Sequence, residues 1–324
     1  MIASILIPAL LSASPNTQLV ELTALPPAAV TESTLNVEAS HAVYGPMPAP
    51  GASAQGAPLT ILETASAAGR FSTLAAALNA ADLVGTLSGP GPFTVFAPTN
   101  SAFRNVPPGR LAFLLQPENK ALLQEVLTFH VVSGNVDSTQ VLASPFLDTV
   151  AEQRAEIDAG NVQIEGANLI ATDIVCSNGI IHVVDSVLLP ELRTISQLAN
   201  ANDDFDQLYD ALVIAGLDDD LDGAGPFTVF APTDDAFRAL PSGLIESLTA
   251  ADLGNILGFH VTTGRNYVED VLAAGGFSML NGGQTTITTT SEGAFIDGAE
   301  ILVTDIETRN GVIHVIDAVL IPGS

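Results

Sequence analysis

The sequence predicts two tandem α+β domains, and three recurring blocks carry that expectation. Gly91-Pro92-Phe93-Thr94-Val95-Phe96-Ala97-Pro98-Thr99 returns as Gly225-Pro226-Phe227-Thr228-Val229-Phe230-Ala231-Pro232-Thr233. Phe129-His130-Val131 returns as Phe259-His260-Val261. Asn178-Gly179-Ile180-Ile181-His182-Val183-Val184-Asp185 returns as Asn310-Gly311-Val312-Ile313-His314-Val315-Ile316-Asp317. The offsets are 134, 130 and 132 residues, so order and spacing both survive, which marks a duplication. Within each copy helical periodicity comes first and strand patterning follows, an α+β arrangement.

Each element follows from its residues. Phe71 to Leu87 places Leu74, Leu78 and Leu83 among alanines and predicts a helix. Phe93 to Ala97 is short, apolar and flanked by prolines, as a strand is. Thr99 sits where it can cap a short helix through Phe103, and Thr233 repeats it. Glu118 to Phe129 carries Leu122, Leu123, Val126 and Leu127 at amphipathic spacing. Strands are expected over 162–164, 169–174 and 180–189. Asn178-Gly179 is expected to turn between the last two, since both residues tolerate positive φ. Domain one spans 58–190 and domain two 191–324, with almost no linker. Residues 1–57 stand apart. Met1 to Ser14 has the length of a signal-peptide apolar region but no positive start, and a Pro/Ala/Ser-rich tether follows it.

Composition narrows the function. Hydrophobic residues make up 47% of the 324, enough for two packed cores. Thirty-six acidic residues against nine basic ones leave a net charge of -27. Such a chain is repelled by nucleic-acid phosphates and anionic lipid, so nucleic acid is excluded as a partner. No run reaches the roughly 18 apolar residues of a membrane-spanning helix. The single Cys176 has no intramolecular disulfide partner.

The residues that could carry chemistry form a short set. His130 with His260, and His182 with His314, are repeat-equivalent. Each can be a buried, satisfied ring or one member of a reactive pair, and without a third ligand they make a poor zinc signature. No nucleophile accompanies them. Cys176 becomes Thr308 in the second copy, Ser177 becomes Arg309, and Ser186 becomes Ala318. The pattern predicts no enzyme and no obligate cofactor. Asp218, Asp220 and Asp222 imitate the start of a calcium loop, but Val229 stands where the closing Glu belongs, which leaves only a looser calcium candidate. Asp173 and Asp305 precede the Asn-Gly step. They read either as a recognition edge or as local hydrogen bonding to the turn.

The repeated blocks resemble the two signature segments of fasciclin (FAS1) domains, Phe-Thr-Val-Phe-Ala-Pro-Thr and Asn-Gly-x-Ile-His-Val-x-Asp, over about 58–322. The resemblance implies a wedge-shaped, mostly antiparallel β-sandwich flanked by a bundle of short helices. It implies a secreted or cell-surface adhesion protein whose partner is a surface or matrix protein or a glycan; the alternatives are a carbohydrate-binding attachment module and, behind it, an enzyme or small-molecule binder. Thr99, His182, Thr233 and His314, repeated in both copies, are expected to serve the framework. The resemblance assigns adhesion to Phe129-His130 and Phe259-His260, where Phe replaces the family's Tyr, and to Asp173-Ile174 and Asp305-Ile306.

Overall fold

The computed structural model describes residues 58–323; the leader and tether expected over 1–57 lie outside the described residues. Each repeat begins with short helices and ends in a sheet. Domain one contributes β1 (Phe93–Pro98), β2 (Val131–Ser133), β3 (Phe146–Asp148), β4 (Arg154–Asp158), β5 (Gln163–Ile164), β6 (Ala167–Cys176) and β7 (Gly179–Val184). Domain two contributes β8 (Phe227–Pro232), β9 (Val261–Thr263), β10 (Ile287–Thr289), β11 (Ala294–Ile296), β12 (Ala299–Thr308) and β13 (Gly311–Ile316). The strand orders are β2-β1-β7-β6-β5-β4-β3 and β10-β11-β12-β13-β8-β9. The neighbours β1 and β7 run parallel, as do β8 and β13; the other pairs are antiparallel.

Period-two alternation along the central strands builds two cores per domain. On β1 and β7, Val95, Ala97, Ile181 and Val183 face the helices and pack with Leu74, Leu78 and Leu127. Phe96 and Val184 face the opposite way and pack with Ile164, Ala167 and Leu188 inside the curled sheet. The curl brings the two ends of the strand order together, because Val132 bridges Thr149 and the Val150 amide donates to the Val131 carbonyl.

The local structure departs from the sequence expectation in four places. The helix expected over Phe71–Leu87 is two helices, Ser72–Ala80 and Val84–Leu87. Asp82 takes a left-handed φ of 56° between them, and the Leu83 amide reaches back to the Leu78 carbonyl, a helix-ending arrangement. The helix expected from Glu118 starts at Lys120, after a 3-10 turn over Pro117–Asn119. Val162 has a φ of 57° and drops out of β5. Finally, β7 stops at Val184, because the Leu188 amide is spent on His130 and not on a neighbouring strand.

The Asn-Gly step also works differently from expectation. Cys176 pairs with Gly179, so Ser177 and Asn178 make the turn and glycine already belongs to β7. Its role is close approach. A Cβ on Gly179 would lie 1.9 Å from the Phe93 carbonyl oxygen, and on Gly311 2.1 Å from that of Phe227. The asparagine is a joint. The Asn178 side chain accepts from the Ile61 amide at 2.9 Å and donates to the carbonyls of Leu87 and Gly89. Asn310 repeats this with Ile195, Leu221 and Gly223.

Candidate functional site

The four repeated histidines are sealed into the framework. His130 follows the helix Lys120–Phe129, donates from Nδ1 to the Val126 carbonyl at 2.7 Å, and accepts the Leu188 amide at Nε2 at 2.9 Å. His260 does the same with Ile256 and Leu320, both at 2.9 Å. Burial without a counter-ion pushes both rings down to about pKa 4, so they are neutral at physiological pH. His182 donates from Nε2 to the Val136 carbonyl at 2.9 Å and accepts the Asp173 amide at Nδ1. Its ring stacks on Phe96 with centroids 5.3 Å apart. His314 repeats these bonds with Asn266 and Asp305. Burial lowers both of these pKa values as well. Every ring nitrogen is occupied, which leaves no proton or lone pair for a substrate. Phe129 and Phe259 are buried beside their histidines, so neither Phe-His pair reaches the surface. Thr99 and Thr233 cap the helices that follow β1 and β8 by accepting the amides of Ala102 and Ala236.

The Asp-Ile pairs sit on bulges. β6 loses register against β7 between Ala171 and Ile174, and β12 against β13 between Val303 and Ile306. At each bulge the aspartate adopts a left-handed φ, 59° at Asp173 and 60° at Asp305. The turned carboxylate reaches the start of a distant helix. Asp173 accepts from the Ser138 amide and hydroxyl, and Asp305 from the Val268 amide. The two sites then diverge. Burial raises the Asp173 pKa but the Ser138 bonds outweigh it, and the carboxyl lies below its usual range. Asp305 is more enclosed and is raised, chiefly by burial. Ile174 and Ile306 turn inward against the helical cores.

The calcium candidate is not supported. Asp218–Leu221 is one turn of helix, which fans Asp218 and Asp220 apart, and Asp222 accepts the Thr194 hydroxyl. Among the described residues no group of three His, Cys, Asp or Glu could hold a metal ion. Cys176 is buried, and burial raises its pKa.

A polar constellation lies where the domains meet. The Arg154 amide donates to Glu307 at 3.1 Å, and its guanidinium covers the Tyr267 ring at 3.5 Å and pairs with Glu269. The Tyr267 hydroxyl donates to Glu307 at 2.6 Å. Arg265 donates to the other Glu307 oxygen at 2.6 Å and to the Thr308 and Gly311 carbonyls. Arg309 pairs with Glu125 at 2.8 Å. Gln153, buried, clamps the linker by donating to the Glu191 carbonyl and accepting its amide. Burial pushes the Glu125 and Glu307 carboxyls up despite these partners. A cavity of about 320 Å³ lies beside the constellation, with Glu125, Arg265 and Arg309 on its wall.

The fasciclin domain model matches residues 69–190 and again 203–322. The chain belongs to the fasciclin domain family. It is 46% identical over 135 residues to protein sll1483 of Synechocystis, covering 41% of this chain and 75% of that protein. It is 30% identical over 246 residues to transforming growth factor-beta-induced protein ig-h3 of Sus scrofa, covering 74% of this chain and 36% of that protein. Human periostin is 28% identical over 245 residues, which are 74% of this chain and 29% of periostin. The chain therefore spans about a third of the length of these two animal relatives. A solved FAS1 domain pair from the insect cell adhesion molecule fasciclin I aligns with 18% identity and a TM-score of 0.38, over 76% of this chain and 92% of that one.

Within this fasciclin pair, the junction residues escape a search for repeated motifs because they lie where the repeats differ. Glu307 stands where domain one has Val175, Arg309 where it has Ser177, and Arg265 where it has Asn135. Glu125 and Arg154 correspond to Asn255 and Gln284. The available signal was the mismatch: charges present in one copy and absent from the other. The sequence reading also passed over Ile170 and Leu302. They are repeat-equivalent, each inside the register shift that immediately precedes the Asp-Ile bulge, and remain 48% and 50% exposed.

Proposed function

We propose that this protein is an extracellular or cell-surface adhesion protein that holds surface or matrix partners through the outer faces of β6 and β12. Membership of a family whose members mediate adhesion supports the class of function. The observation that carries the site is the exposed pair Ile170 and Leu302, one per domain at equivalent positions, each next to an Asp-Ile bulge. Desolvation of such side chains is what interface anchors supply. The Asp-Ile bulges act as rigid supports: their aspartates fix the local backbone and their isoleucines anchor it to the core. The Phe-His pairs support adhesion from inside, by holding the framework on which these faces are displayed. No enzyme activity is assigned, since the repeated histidines have every ring nitrogen engaged. Two modest sites on one molecule gain apparent affinity through effective concentration.

The test is binding of the full chain to its native cell surface, with Ile170→Asp, Leu302→Asp and the double variant. Each single change is expected to weaken binding at least tenfold, the double change to abolish it, and EDTA to have no effect. A double variant that binds as well as the parent overturns the assigned faces. Protease or glycosidase treatment of the surface separates a protein partner from a glycan.

A further inference from the structure

The junction inside this chain is not symmetric, and that has a geometric consequence. Domain one offers one surface: Glu125 on the helix Lys120–Phe129, then Gln153 and Arg154 at the start of β4. Domain two offers another: Glu307 and Arg309 near the tip of the β12–β13 hairpin. Because the domains are copies, each surface has an unused counterpart. Asn255, Gly283 and Gln284 on domain two correspond to the receiving surface. The backbone confirms the match, since the Met279 and Leu280 amides bond Gly283 and Val261 as the Thr149 and Val150 amides bond Gln153 and Val131. Val175 and Ser177 on domain one correspond to the docking tip, with the Ser177 amide bonded to Leu59 as the Arg309 amide is to Arg193.

Both counterparts are open. Val175 is 60% exposed, and Ser177, Asn255 and Gln284 are exposed. Their charges vanish in matched pairs. The Arg309–Glu125 contact maps onto Ser177 and Asn255, and the Arg154–Glu269 contact onto Gln284 and Thr139, while Val175 stands where Glu307 meets the Arg154 backbone amide. Repeating the docking therefore strands neither member of these two ion pairs, while Asp137, exposed where domain two has Tyr267, brings a carboxylate to the contact. An apolar groove of about 330 Å³ also opens beside Asn255, walled by Leu212, Phe227, Val261 and Leu280. At the equivalent place in domain one, Gln124 lies across the surface and donates to the Ala81 carbonyl, whereas domain two has Gly254.

We propose that a second copy of this chain docks the Val175–Ser177 tip of its domain one onto the Asn255–Gln284 surface of domain two. The mode is that of the internal junction, and chains so joined form open head-to-tail strands. A heterologous contact of this kind leaves one free surface at each end of the assembly. The net charge of -27 opposes association, so added salt is expected to strengthen it. This inference does not rest on the adhesion reading: it concerns the purified chain alone, without any surface partner.

The test is sedimentation of the full chain over a range of concentrations, in about 0.15 M and about 1 M sodium chloride, where screening lengths are about 8 and 3 Å. The parent is expected to associate, more strongly at high salt. Ser177→Arg and Asn255→Glu each place one unpaired charge in the contact and are expected to weaken association at least tenfold. The chain carrying both recreates the Arg309–Glu125 pairing between molecules and is expected to recover association. An equimolar mixture of the two single variants is also expected to associate. Thermal melts confirm that the variants fold. A parent that stays monomeric in both salts overturns the proposal, as does association that the single variants leave intact or that the double variant fails to restore.

Discussion

His130 and His260 close the gap between a helix end and the segment that finishes each domain. Each ring bonds a helical carbonyl on one side and a backbone amide on the other. His130→Phe keeps the size but leaves the Leu188 amide without its partner, at a cost of about 2–4 kcal/mol together with the repacking. The rings also set a pH dependence. Their folded pKa is about 4 against 6.5 for an unperturbed ring, so the unfolded chain takes up the proton first. The stability they contribute is complete above about pH 6.5 and is lost as pH falls towards 4, on the order of 3 kcal/mol per ring. Glu125 and Glu307, raised by burial, act in the opposite sense nearer the carboxylate range. Melting temperature is therefore expected to drop between pH 7 and pH 5, and His130→Phe to remove part of that slope. A flat profile would show that the rings are not held neutral. The Phe-His repeat was visible in the sequence, but its burial was not. A histidine after a helix bonds the last carbonyls equally well when exposed; the second bond, from Leu188, comes from a residue 58 positions away.

At the scale of the element, the parallel contacts β1·β7 and β8·β13 depend on glycine where one backbone presses on another. Gly311→Ala sets a methyl group 2.1 Å from the Phe227 carbonyl oxygen, a backbone atom held by the sheet. The strands must part, and the expected loss is about 3 kcal/mol or more, read by chemical denaturation. A loss below about 0.5 kcal/mol, the usual bound for a neutral surface change, would show that the strands give way freely. Elements were legible where local chemistry acts alone, as in the Thr99 cap and the Phe93–Pro98 strand. They were illegible where one residue takes an unusual backbone state. Domain two ends its Asp206–Ala215 helix with Gly216 at φ 68°, a stop that can be read directly. Domain one makes the same stop with Asp82, which the sequence does not distinguish from a helix-surface aspartate.

Across the whole molecule, the junction makes the two domains unequal partners. Glu307 gathers an amide of one domain with Tyr267 and Arg265 of the other, and Arg265 is itself buried. Glu307→Ala strips Arg265 of its carboxylate and is expected to cost about 3–5 kcal/mol. Calorimetry is expected to show one cooperative transition for the parent and two for the variant, because coupling between the domains is lost. A variant that melts as the parent does would assign the junction no energetic role. The duplication itself could be read from three matched blocks, but the way the copies join could not. Matching highlights what the domains share, which is each domain's own framework, while the junction is written in what they do not share.

The curl of each sheet carries a further consequence. One of the two end strands of domain one, β2, spends its Val131 carbonyl on Val150, and its counterpart β9 spends that of Val261 on Leu280. Along these two rims the run of free amides and carbonyls is interrupted at that carbonyl. A visiting peptide meets an obstructed lane at these two rims, which opposes there the edge-to-edge fusion that seeds fibrils. At these rims a partner is gripped by side chains on a face.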